Sequence, residues 1–183
     1  MSSTSPRPET GYDAVHKLFH WLVFVLVAVQ FTIGWRMPEI HRDTKPDGAI
    51  AWHLAVGATI LAVAALRLAW RLYRPVPLLR DGVPPWEQRI AAWTHGLLYV
   101  LLFAMLLLGW ANASARGYPA PVLGLIPLPG IAPEGSRLGM RAGDLHALLS
   151  WALLGLIGLH VAAALYHRFI RRDRVMQRML PGA

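Results

Sequence analysis

Apolar residues in this chain fall into four long blocks, and polar residues are largely confined to the segments between them. The blocks run from about 17 to 36, 49 to 73, 90 to 112 and 144 to 169. At about 1.5 Å per residue each reaches the roughly 30 Å of a bilayer's hydrocarbon core, so each predicts a transmembrane helix. Proline and glycine bound the connectors, at Met37-Pro38, Pro46-Asp47-Gly48, Arg74-Pro75, Pro84-Pro85 and Tyr118-Pro119. The expected fold is all-α, a four-helix transmembrane bundle over 17–169, with a segment 1–16 before it and a basic tail, 170–183, after it. No period of side chains repeats, and the opening MSSTSPRPETGYDAVHK lacks the apolar stretch of a signal peptide.

Composition strengthens the membrane reading, with 55% hydrophobic and only 15% charged residues. The absence of cysteine excludes disulfides, thiolate-bound metal and a cysteine nucleophile, leaving eight histidines as the strong nitrogen ligands. A net charge of +8 would suit nucleic acid, but the basic residues cluster between apolar blocks, a pattern that suits lipid headgroups. Twelve of them (Arg7, Lys17, Arg67, Arg71, Arg74, Arg80, Arg89, Arg168, Arg171, Arg172, Arg174 and Arg178) lie toward the side of the two termini. That bias puts both termini in the cytoplasm. The connector 113–143 then faces outward, and its LGLIPLPGI stretch is apolar enough to lie on the interface or cap the bundle. Tryptophans near helix ends form an ordinary aromatic belt.

With orientation set, depth follows. His20 enters early on the first helix and lies near the inner face; His53 enters early on the second and lies near the outer face. The fourth helix carries His146 at the outer level and, fourteen residues and about 21 Å deeper, His160 at the inner level, within about 40° of the same face. The histidines therefore pair by depth, His53 with His146 and His20 with His160, as six-coordinate haem in a helical bundle requires. His95 on the third helix also reaches the inner level, and on spacing alone it could replace His20. Small residues near these histidines, among them Ala55, Gly57, Ala58, Gly155 and Gly158, suit a porphyrin but equally suit plain helix packing. His16 is expected at the headgroups, and His41, beside Glu39 and Asp43, on the solvated surface.

Four segments taken in order, HWLVF at 20–24, WHLAVG at 52–57 ahead of LRLAWRL, HGLLYVLL at 95–102 and GLHVAAALYH at 158–167, resemble the bacterial cytochrome b561 family over nearly the whole chain. The resemblance implies a protein of the bacterial inner membrane with two haem b groups. Their axial ligands would be His20 with His160 and His53 with His146, which removes His95 from the ligand set. It also implies ubiquinone as electron acceptor and, for one branch of the family, superoxide as donor, making the chain a superoxide:ubiquinone oxidoreductase. The alternative is a cytochrome b subunit relaying electrons between a partner redox protein and the quinone pool. A histidine-rich metal-ion permease fits less well, because no carboxylate inside the helices completes a translocation site.

Within that frame other residues acquire candidate roles. Arg36, Lys45, Arg137 and Arg141 could steer an anion at the outer face, with Arg36 and Arg141 also candidates for outer haem propionates. Their simplest reading is as solvated loop charges, and Glu39, Asp43, Asp47, Glu134 and Asp144 offset them. At the inner face Arg71 is the propionate candidate, and His167 is the candidate proton donor to quinone. Arg67 and Trp70 would line the quinone slot. Arg67 lies more than one turn inside an apolar block, so it needs an anionic partner or a path to the interface.

Overall fold

The computed structural model describes residues 12–41, 43–75 and 83–180. Arg7 and Arg80 of the charge-bias argument, and most of segment 1–16, lie outside the described residues. Four long helices carry the chain: α1 (Ala14–Gly34), α2 (Gly48–Tyr73), α3 (Pro85–Ala115) and α4 (Arg137–Tyr166). Each is long and apolar enough to cross a membrane, with mean hydropathy of 1.7 to 2.0 in its best window. The chain is thus a multi-pass membrane protein.

Local chemistry explains where the helices begin. The Asp13 carboxylate caps α1 by accepting the His16 N–H at 2.8 Å. The third helix starts at Pro85 rather than near 90, because proline at the first helical position needs no hydrogen-bond partner for its nitrogen and Glu87 suits the positive helix end. The fourth starts at Arg137 rather than 144, since the Ser136 hydroxyl caps it by accepting the Gly139 N–H. Its last turn widens into a π-helical turn, His167–Arg171, and ends at Arg172 with φ of 55°. A short 3₁₀ turn, Gln177–Met179, follows in the tail.

The connectors 35–47 and 116–136 meet at one end, where the Tyr118 hydroxyl donates to the Thr44 carbonyl. This is called the far end; the other carries both termini. Backbone packing is concentrated between α3 and α4 and between α1 and α2, with α2 and α3 joining the two pairs. All four helices contribute to one core of Val23, Val27, Ile60, Ala64, Leu102, Met105, Leu106 and Leu153. By contrast, α4 meets α1 and α2 chiefly through side chains, and the histidines lie in those gaps.

Candidate metal centres between the helices

At the far end His53 of α2 and His146 of α4 face each other with ring centres 6.0 Å apart and planes at 80°. At the termini end His20 of α1 and His160 of α4 stand 6.3 Å apart. His95 of α3 lies nearer to His160, at 5.2 Å. A metal–nitrogen bond of about 2 Å, with the ring centre about 1.1 Å behind the nitrogen, puts two trans imidazoles roughly 6.2 Å apart. The distances between His53 and His146 and between His20 and His160 match that span; that between His95 and His160 is about 1 Å too short. No three metal-ligating side chains among the described residues come close enough to hold one ion. Two nitrogens are too few for a bare zinc-like ion, but they suit an iron that brings four nitrogens of its own in a porphyrin.

Several features of the far-end pair suit a haem. His146 Nδ1 lies 2.8 Å from the Met105 carbonyl, so it donates there and leaves the Nε2 lone pair free for a metal. Gly109 makes this possible: a Cβ at that position would lie 2.9 Å from Cε1 and Nδ1 of the ring. His53 packs against Gly34, and its Nδ1 is buried without a hydrogen-bond partner. Gln30, itself buried, donates from Nε2 to the His53 carbonyl at 3.0 Å and so ties α1 to this level. A cavity of about 250 Å³ opens beside the pair, lined by His53, His146, Gly109, Asn112, Arg116 and Tyr118 among others.

The termini-end pair carries more charge. Arg67 donates from Nη2 to His20 Nδ1 at 3.0 Å. In this arrangement His20 keeps its proton on Nε2, and ligation through Nε2 needs Arg67 to turn to another acceptor. Arg67 and Arg71 both lie over the Tyr99 ring, at 5.4 and 5.8 Å, and no carboxylate among the described residues pairs with either. Two guanidiniums without a carboxylate suit the two propionates of a haem, so the residues fit the group once Arg67 is drawn to one of them.

Other expected site residues are distributed differently. Arg36, Lys45, Arg137 and Arg141 are exposed at the far end, and none lines the cavity; Arg116 does so instead. Trp70 packs against His16 at 6.3 Å. His16 is buried rather than solvated, because its ring lies 3.0 Å from the Asp13 carboxylate and under Trp70. Gly155 and Gly158 lie roughly 140° and 160° around α4 from His160, and a Cβ on either would meet open space. His167 is largely buried, its Nδ1 donating to Asp173 Oδ2 at 2.6 Å. Burial alone would raise the Asp173 carboxyl. Hydrogen bonds from His167 and the Val175 N–H, with the His167 and Arg171 charges, hold it below the usual carboxylate range.

Sequence reasoning missed Gln30, Tyr99, Gly109 and Asp173. Gln30 was legible as an uncharged polar side chain inside an apolar run, and Tyr99 as part of HGLLYVLL. Gly109 and Asp173 gave no signal, because their roles depend on what another helix or the tail brings against them.

Comparison with known proteins adds the relationship. The family model for prokaryotic cytochrome b561 matches residues 11–182. Cytochrome b561 homolog 2 of Escherichia coli K12 is 31% identical over 98% of this chain and 95% of its own length. A probable superoxide oxidase CybB of Yersinia pestis is 29% identical over 93% of this chain and 96% of its own. Cytochrome b562 of Cereibacter sphaeroides is 26% identical over 94% and 96%.

Proposed function

The chain belongs to the prokaryotic cytochrome b561 family, and from that premise we propose that it is a dihaem membrane cytochrome moving electrons from superoxide at the far end to ubiquinone at the termini end. The observation that carries this reading is the pair of facing imidazoles at each end, 6.0 and 6.3 Å across, with one member of each on α4. Haem bound between two imidazoles has no open iron position, so it supplies outer-sphere electron transfer rather than dioxygen binding. His53 with His146, and His20 with His160, would hold the two haem irons. Arg67 and Arg71 hold propionates at the termini end.

Two superoxide anions give one electron each and leave as dioxygen; one ubiquinone takes two electrons and two protons to become ubiquinol. At the far end the exposed Arg36, Lys45, Arg137 and Arg141 attract the anion, and Arg116 carries positive charge to the cavity wall. At the termini end His167 donates a proton toward quinone, with Asp173 holding its Nδ1–H. Trp70 lines the quinone slot. The termini face the cytoplasm, which makes the far end periplasmic in an inner-membrane protein. The name of the Yersinia relative supports the choice of donor.

Optical spectra of the purified protein, followed by pulsed superoxide with a soluble ubiquinone analogue, test this. The expected result is reduced b-type bands and quinone reduction that depends on superoxide. Absence of the bands overturns the haem reading. Bands without superoxide-dependent quinone reduction overturn the superoxide donor and leave an electron-transfer subunit.

A further inference from the structure

The far-end connector 117–133 holds no charged residue, unlike the connector at 35–47. It does not extend away from the bundle. Pro121–Val122 pairs antiparallel with Ile126–Pro127 and packs along α2. The Leu123 N–H at the tip donates to Thr59 Oγ1 at 2.9 Å. Thr59 lies eleven residues into α2 and six beyond His53, about 16 Å from the helix start and about 9 Å deeper than the far-end histidines. If the 26-residue α2 is centred on a hydrocarbon core of about 30 Å, Thr59 lies about 12 Å inside its boundary. At that depth Leu123, Leu125 and Ile126 are 68%, 80% and 62% exposed.

We propose that this hairpin is a re-entrant wedge immersed in the lipid leaflet at the far end, its tip in contact with acyl chains. The obstacle to irregular backbone in lipid is the cost of each unsatisfied N–H and C=O. Prolines at 119, 121, 127 and 129 remove four of those donors outright. Much of what remains is bonded. Leu123 uses Thr59, Gly124 and Leu125 close the turn on Pro121 and Val122, Leu128 donates to Ala120, and Ile131 to Ser114 Oγ. Leu123 and Gly124 both have positive φ, which turns the chain tightly enough to keep these bonds. The Thr59 hydroxyl itself donates to the Ala55 carbonyl at 2.7 Å, so it serves both roles without water. Trp110 Nε1 donates to the Pro129 carbonyl, pinning the hairpin's return strand to α3.

The native chain has no cysteine, so single-site labelling is direct. Leu125→Cys and Ile126→Cys are made in the full-length protein, with Glu134→Cys and Lys45→Cys as exposed references at the same end. In intact membrane vesicles a water-soluble maleimide should label the tip cysteines at least about tenfold more slowly than the references, with all four equal after unfolding in SDS. A fluorophore at 125 should be quenched more strongly by nitroxide on lipid acyl chains than on headgroups. Labelling of the tip at the reference rate overturns the proposal. Protection without acyl-chain quenching also overturns it, because a second copy or another protein then covers the tip.

Discussion

Gly109→Ala is a one-carbon change whose effect can be worked out from the far-end site. The added Cβ would lie 2.9 Å from Cε1 and Nδ1 of His146, about 0.5 Å inside the ordinary contact limit of 3.4 Å. The ring cannot retreat freely, because its Nδ1–H is bonded to the Met105 carbonyl at 2.8 Å. A shift of about 0.5 Å stretches that bond to roughly 3.3 Å, past the useful range, and moves the ring relative to His53. Loss of such support for a ligating histidine costs about 10- to 100-fold in affinity, or about 1.4 to 2.8 kcal/mol. On the proposed dihaem reading, haem content per protein, measured by pyridine haemochrome during titration with a haem-competing apoprotein, should fall from two toward one. Gly96→Ala is the matched control in the same helix. No atom lies within 4 Å of its new Cβ, and it should gain up to about 1 kcal/mol of helix stability. If Gly109→Ala keeps both haems with unchanged affinity, or if both variants lose haem alike, the reasoning about the His146 cradle is refuted.

Further predictions come from the termini end. On the proposed ligand set, His95→Ala should retain both haems while His20→Ala loses one, read by the same assay; the reverse would move the inner ligand to α3. Trp21→Phe removes the 2.9 Å bond to the Met179 carbonyl and should loosen the tail by about 1 kcal/mol, visible as faster proteolysis of residues beyond 172. Asp173 has a depressed folded value, so its contribution to tail docking is full above its ordinary 3.8 and is lost as pH falls through the folded value. Pepsin should therefore release the wild-type tail more readily as pH drops below about 4, whereas Asp173→Asn should be equally sensitive across that range.

The four spans were legible because blocks of apolar residues longer than a bilayer core have few other uses in a chain of this length. Depth along the helices was legible too, since rise per residue converts His146 and His160 directly into a separation. How His20 and His95 each stand to His160 was not. His20 and His95 share a level, and only side-chain direction gives 6.3 Å for one and 5.2 Å for the other. Helix starts at Pro85 and Arg137 were obscured because their first turns are polar and read as connector. The polar lining was the least legible part. Arg116 reached the cavity while Arg36 and Arg141 did not, because a loop arginine's position depends on how the connector folds, which hydropathy does not encode.

Placing one histidine of each pair on a single helix has an electrical consequence. The fourteen residues between His146 and His160 span about 21 Å, some 70% of a hydrocarbon core of about 30 Å, across which most of a membrane's voltage drops. An electron travelling that length toward a negatively charged cytoplasm works against the voltage, at about 1.6 kcal/mol for each 100 mV. On the proposed direction, turnover in energised vesicles should therefore quicken when an uncoupler collapses the potential, and the rigid step along α4 would set how steeply the rate responds.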